Sequence, residues 1–181
     1  MNPLIKKTLR QGLRINQRAV TVANNAYDRL FHSDALIKSD LTQKQEIHHN
    51  GLMSVHYYPP LQDSAIELSD GSQMAVEKTR KAVPLIIVPP LAASSLIFDL
   101  LPRRSLVKFF LAKGFPVYLI DWGEPKREHV RLGLKEYVED MLPEAIQHIR
   151  AHSGQQQLSL MGWCMGGLFS LMYTALSHDT D

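Results

Sequence analysis

The sequence predicts an α/β domain built on parallel strands with crossover helices, and three observations predict it. A continuous apolar run at Pro84–Val88 reads as a strand buried on both faces, and Pro116–Ile120 and Gln157–Met161 read as a second and a third buried strand. Amphipathic helical stretches separate them. The third run leads straight into Gly162-Trp163-Cys164-Met165-Gly166-Gly167, a glycine-flanked cysteine at a strand-to-helix junction.

In chain order, residues 4 to about 37 read as helix, with apolar positions at Ile5, Leu9, Leu13, Val20, Ala23, Tyr27, Leu30 and Phe31. Arg10, Arg14 and Arg18 recur every fourth residue on one face of it. A polar stretch from Ser39 to Asn50 reads as linker, so residues 1–50 form a helical arm and linker, and residues 51–181 the start of the α/β domain. Met53–Tyr58 is β-rich and stopped by Pro59-Pro60. Ile66–Leu68 and Met74–Val76 flank Asp70-Gly71, a hairpin signal. After the run at 84–88, a helix over Leu106–Lys113 is ended by Gly114. The run at 116–120 closes on Asp121-Trp122-Gly123, where Asp121 reads as a turn-capping carboxylate. Leu134–His152 is helical, with Val138, Met141, Ala145 and Ile149 on one stripe and Pro143 set to kink or restart it. The last helix spans Leu168–Leu176. Alternation of this kind gives parallel crossovers.

Composition narrows the function. An apolar fraction of 45% and a charged fraction of 21% are those of a globular protein. A net charge of +2 implies no nucleic-acid partner. No stretch approaches the roughly 18 apolar residues of a membrane span. The basic N-terminus lacks the apolar core of a secretory signal, so a cytoplasmic protein is expected. The one cysteine cannot pair within the chain, and its thiol is worth examining in its own right.

Gly-x-Cys-x-Gly between a buried strand and a helix is the nucleophile-elbow pattern, with sulfur in place of a serine hydroxyl. At a tight turn of this kind, side chains two positions either side of the nucleophile would strike neighbouring backbone. Glycine at 162 and 166, followed by Gly167, removes that clash. The turn also sets Cys164 at a helix N-terminus, where the dipole favours thiolate over thiol. The Met165 N–H is then expected to face the oxyanion formed on an attacked carbonyl. The second donor comes from the loop Pro89–Ser95. Proline has no N–H, so Leu91 is the first residue able to donate, with Ala92 next.

With these residues the chain resembles the polyhydroxyalkanoate synthases, which have the α/β-hydrolase fold, and in particular the catalytic subunit of the short-N-terminus type that works with a second subunit. The resemblance covers roughly residues 84–177. It rests on Phe98-Asp99-Leu100-Leu101-Pro102 with Ser105–Lys108, on Gly114-Phe115 leading to Val117–Gly123, and on the cysteine box. It implies that Cys164 accepts (R)-3-hydroxyacyl groups from coenzyme A thioesters and passes them to a growing polyester. No cofactor or metal is implied. The partners implied are 3-hydroxyacyl-coenzyme A, the polymer chain or granule surface, a second synthase subunit, and further copies in an oligomer. Thiolate attack on a thioester exchanges one sulfur ester for another, so the acyl group keeps its reactivity until a hydroxyl takes it.

Elbow enzymes run in the order nucleophile, acid, histidine. Only 17 residues follow Cys164. His178 lies 14 residues on, a helical separation of about 21 Å. It cannot serve as the base. His129, His148 and His152 precede the elbow. The sequence is therefore expected to be the N-terminal part of a catalytic domain, inactive without its acid and histidine. His48, His49 and His56 lie in a polar linker and a strand with no ligand set apparent nearby, so no metal site is expected. Two rival readings stay open: a cysteine hydrolase of the dienelactone-hydrolase type, and a non-catalytic piece acting in binding or assembly.

Overall fold

The computed structural model describes residues 42–91 and 93–177. The helix read over residues 4–37, with its arginine stripe, lies outside them, as do Ala92 and His178. Five strands form the main sheet: β1 (Gln45–His49), β2 (Ser54–Tyr58), β5 (Leu85–Val88), β8 (Val117–Asp121) and β9 (Ser159–Gly162). Their order is β1-β2-β8-β5-β9. β1 and β2 are antiparallel, as are β2 and β8, whereas β5 is parallel to both β8 and β9.

The first two runs follow from burial on two faces, whereas β9, read as a third buried strand, lies at the edge of the sheet and is only partly buried. Ile86 and Val88 of β5 and Tyr118 and Ile120 of β8 point to one side, into a core shared with Leu142, Ala145, Ile146, Ile149 and Phe169. Ile87, Val117 and Leu119 point to the other side, against Phe98, Val107 and Leu111. With both faces covered, the interior positions of these strands take apolar or aromatic side chains, and a carboxylate appears only at the end of β8, as Asp121.

Among the described residues three α-helices cover the sheet. α1 (Leu106–Ala112) is capped by Ser105, whose hydroxyl accepts from the Lys108 N–H at 3.0 Å. α2 (Leu142–Ser153) follows a wider π turn at Glu136–Met141 and carries Pro143 in its first turn. Pro143 therefore restarts the helix: its missing N–H falls where a helix start needs none. Gly154, at φ +69°, ends it. α3 (Met165–Leu176) begins three residues before the expected Leu168, because Gly166 and Gly167 lie inside its first turn.

One further expectation needs correction. The segment taken as linker up to residue 50 contains β1, which pairs with β2 in the main sheet. The chain divides into the units Met1–Lys38 and Ser39–Asp181. β1 escaped notice because it is an edge strand: only Ile47 of Gln45–His49 is apolar, and it packs on the core. The Asp70-Gly71 hairpin does form, as β3 (Ala65–Glu67) and β4 (Gln73–Ala75), but as a separate two-stranded sheet. A third, irregular pair, β6 (Asp99–Leu101) and β7 (Arg104–Ser105), precedes α1.

Candidate active site at the Cys164 elbow

β9 ends at Gly162 and α3 begins at Met165, so Cys164 sits on the junction as the helix N-cap. Its backbone has φ 53° and ψ −119°. Among the described residues it is the one non-glycine residue with positive φ. An L-residue holds that conformation only where its surroundings over-determine it. Here the surroundings are specific. The Trp163 N–H donates to the Val88 carbonyl at 3.1 Å, extending the β5–β9 ladder. The Gly167 N–H donates to the Cys164 carbonyl at 3.0 Å, and the Gly166 N–H to the Trp163 carbonyl at 2.9 Å. The turn is held on both sides.

The glycines differ in what they allow. A Cβ at Gly166 would overlap the Val88 carbonyl oxygen and lie 2.7 Å from that of Pro89. A Cβ at Gly162 would strike Gly166 and Gly167 backbone. Gly167 is less constrained, since its nearest neighbour would be the Gly162 oxygen at 3.4 Å. Close approach therefore requires glycine at 162 and 166 and leaves room at 167.

Cys164 is a free, exposed thiol. Trp163 and Met165 beside it are 58% and 39% exposed, so the thiol opens onto an apolar surface. Met165 is the first residue of α3, and its N–H takes no backbone acceptor among the described residues. Leu91 lies in the turn directly after β5 and is exposed. The two loops that would bring donors to an oxyanion thus both leave the same ends of neighbouring parallel strands.

Features not singled out from the sequence hold the Pro89–Ser95 loop. The buried Trp122 indole donates from Nε1 to the Pro89 carbonyl at 2.8 Å. Its ring also meets Tyr137 and Phe169 edge-on, at 5.4 and 5.8 Å between centroids. Trp122 so joins the loop to α3 and to the π turn. Ser95 donates from Oγ to Asp121 Oδ2 at 2.6 Å, while Oδ1 accepts the Gly123 N–H at 2.9 Å. Asp121 is a capping carboxylate, as the sequence suggests, and also anchors the loop. Buried Asp99, next along, accepts from both the N–H and the hydroxyl of Thr42, at 2.8 and 2.9 Å. An open cleft of about 450 Å³ lies between the loop and the Asp121–Pro125 turn. The signal for these anchors was present in Asp121-Trp122-Gly123, but nothing in the pattern names the acceptor.

Four of the described histidines are engaged away from the elbow. His152 Nδ1 meets the Tyr118 hydroxyl at 2.9 Å, and His129 Nδ1 accepts the Lys126 N–H at 3.0 Å. His48, read as having no ligand set nearby, in fact lies 3.0 Å from Glu144 and stacks on His148. His48 and Glu144 are 96 residues apart in the sequence, and the packing of β1 on α2 brings them together.

Comparison with known proteins agrees with the fold. Residues 83–180 match the model of the alpha/beta hydrolase fold family. A poly(3-hydroxyalkanoate) polymerase subunit PhaC of Haloferax mediterranei is 46% identical over 99 residues, which are 55% of this chain and 20% of that protein. Its counterpart in Haloarcula marismortui is 38% identical over 130 residues, 72% of this chain and 26% of that one. Poly(3-hydroxyalkanoate) polymerase 2 of Ectopseudomonas oleovorans is 31% identical over 169 residues, 93% of this chain and 29% of that one. The chain spans about a quarter of the length of these relatives. It belongs to the alpha/beta hydrolase fold family, and the polyhydroxyalkanoate synthases are the members it resembles.

Proposed function

We propose that this chain is the nucleophile-bearing part of a polyhydroxyalkanoate synthase, and that Cys164 carries the acyl group. The observation behind this reading is the φ of 53° at Cys164, a strained conformation placed between β9 and α3 in the only cysteine of the chain. Strain of that kind is maintained where a side chain must be presented at one point.

In the proposed reaction, Cys164 Sγ attacks the carbonyl carbon of an (R)-3-hydroxyacyl-coenzyme A thioester. The carbon–sulfur bond to coenzyme A breaks, and coenzyme A leaves as its thiolate. The Met165 and Leu91 N–H groups stabilise the tetrahedral oxyanion between those events. The hydroxyl of another acyl unit then attacks the Cys164 thioester, giving its proton to a base and freeing Sγ. Water would compete as acceptor at this exposed surface unless the rest of the enzyme or the polymer covers Trp163 and Met165.

That base is not supplied by the described histidines, all of which precede the elbow, and the contacts of His48, His129 and His152 lie elsewhere. The proposal therefore places the triad acid and histidine outside these 181 residues and holds the chain inactive by itself. A second synthase subunit, association into oligomers, and attachment to the polymer granule in the cytoplasm belong to the same reading. No helix of the described residues is long and apolar enough to cross a membrane.

The test is a chimera in which residues 83–177 replace the corresponding stretch of the Haloferax mediterranei polymerase. The chimera should release coenzyme A from 3-hydroxyacyl-coenzyme A and leave polymer, whereas the 181-residue chain alone should not turn over. Free hydroxy acid as the main product would instead support the hydrolase reading.

A further inference from the structure

At the edge of the sheet away from the elbow, β1 brings His48 against α2, where Glu144 and His148 stand one turn apart. The i, i+4 spacing puts both on one helix face. His48 Nε2 lies 3.0 Å from Glu144 Oε1. The two imidazole rings stack at 3.8 Å between centroids, with planes 14° apart. One ligand atom from each of the three residues lies within 4.8 Å of the other two.

The support around this cluster is itself fixed. Glu144 Oε2 accepts from Asn50 Nδ2 at 2.8 Å. The other end of the Asn50 amide accepts the Met53 N–H at 2.9 Å and the Leu52 N–H at 3.2 Å. The β1–β2 turn therefore orients the amide, and the amide orients the carboxylate. An outer partner of this sort is what a ligating carboxylate requires.

Bonds of about 2.0–2.2 Å to two nitrogens and one oxygen place the ligand atoms roughly 3.3–3.5 Å apart in a tetrahedron. His48 and Glu144 stand 3.0 Å apart, slightly closer than that, and the stacked rings must turn out of face contact for a nitrogen of each to aim at one ion. Two imidazoles with one carboxylate favour zinc and its first-row neighbours over magnesium or calcium.

We propose that His48, Glu144 and His148 form a binding site for a first-row divalent transition cation, which pins the edge strand β1 to α2. The site lies at the other edge of the sheet from β9, so its effect is on the stability of that edge and is independent of the acyl-transfer reading.

The test is titration of the full 181-residue chain, freed of metal by chelation, with Zn²⁺ or Co²⁺ and with Mg²⁺ for comparison. One equivalent of Zn²⁺ should bind and raise the thermal midpoint, and Co²⁺ should show visible d–d absorption. Mg²⁺ should do neither. His48→Ala, His148→Ala and Glu144→Gln should each weaken Zn²⁺ at least tenfold, with far-UV circular dichroism unchanged in the metal-free state. His49→Ala, at the exposed neighbouring position, should leave affinity unchanged. Affinity retained in His148→Ala, equal loss in His49→Ala, or no saturable binding to the folded chain would overturn the proposal.

Discussion

The indole of Trp122 donates to the carbonyl of Pro89 at 2.8 Å, and both residues are buried. This one bond ties the end of β5 to the turn after β8, and the same ring braces α3 through Phe169. It explains how a loop with two prolines, and so two missing donors, keeps a defined path beside the elbow.

Trp122→Phe keeps the aromatic packing and removes the donor. The buried Pro89 carbonyl is then left without that partner, a cost of about 1–3 kcal/mol. Urea titration of the chain and the variant measures it. A change within experimental error would mean that the loop is held by other contacts.

The glycines of the elbow separate cleanly. Gly166→Ala puts a methyl onto the Val88 carbonyl, and overpacking of that kind costs about 1–3 kcal/mol or more. Gly167→Ala meets nothing closer than 3.4 Å and lies inside α3, where alanine is favoured over glycine by roughly 1 kcal/mol. Thermal melts should show Gly166→Ala destabilised and Gly167→Ala neutral or stabilised. The reverse order would contradict the geometry of the turn.

Asp99 is a buried carboxylate whose two oxygens serve one residue, Thr42. Thr42→Val removes the hydroxyl donor and leaves the N–H, so its cost should be about 1–3 kcal/mol. Asp99→Ala removes both acceptors and should cost more. The two changes share one interaction, so the double variant should cost little more than Asp99→Ala alone. Full additivity in a denaturation cycle would show that the pair is not coupled.

The strands with both faces covered, the order of helices, the restart at Pro143 and the glycine-flanked turn were all legible, because each leaves a local mark: an apolar run, a period, a missing N–H, a required glycine. β1 was not, since an edge strand covered on one side can be almost wholly polar, as Gln45–His49 is. The loop anchors were half legible. Asp121 announces a cap by its position before Trp122-Gly123, but its bond to Ser95 is a tertiary contact with no local signature. The His48–Glu144–His148 cluster is of the same kind: Glu144 and His148 show their helical spacing, and only the fold brings in His48.

Tyr118 gives a pH dependence with a definite sign. Burial, with the neighbouring Tyr57 hydroxyl adding to it, pushes the Tyr118 phenol up from 10.0 to about 12. The folded chain thus favours the neutral phenol more than the unfolded chain does. That stability is present below pH 10 and is lost as pH rises toward about 12. Tyr118→Phe, which also gives up the bond to His152, should lose stability less steeply across that window. Denaturant midpoints measured from pH 9 upward, on the order of one pH unit apart, would show it. Parallel curves would mean that Tyr118 is not the titrating group.

The central claim is that Cys164 holds the acyl group, and its most direct measurement is the mass of the peptide bearing Cys164 after brief exposure of the chimera to 3-hydroxybutyryl-coenzyme A and acid quench. The account predicts one hydroxybutyryl unit or a short chain of them on Cys164, with free coenzyme A released in step. It also predicts that Cys164→Ala carries no adduct and releases no coenzyme A while folding normally, since the change removes only an exposed sulfur. An unmodified Cys164 during turnover, or an alanine variant that still makes polymer, would contradict it.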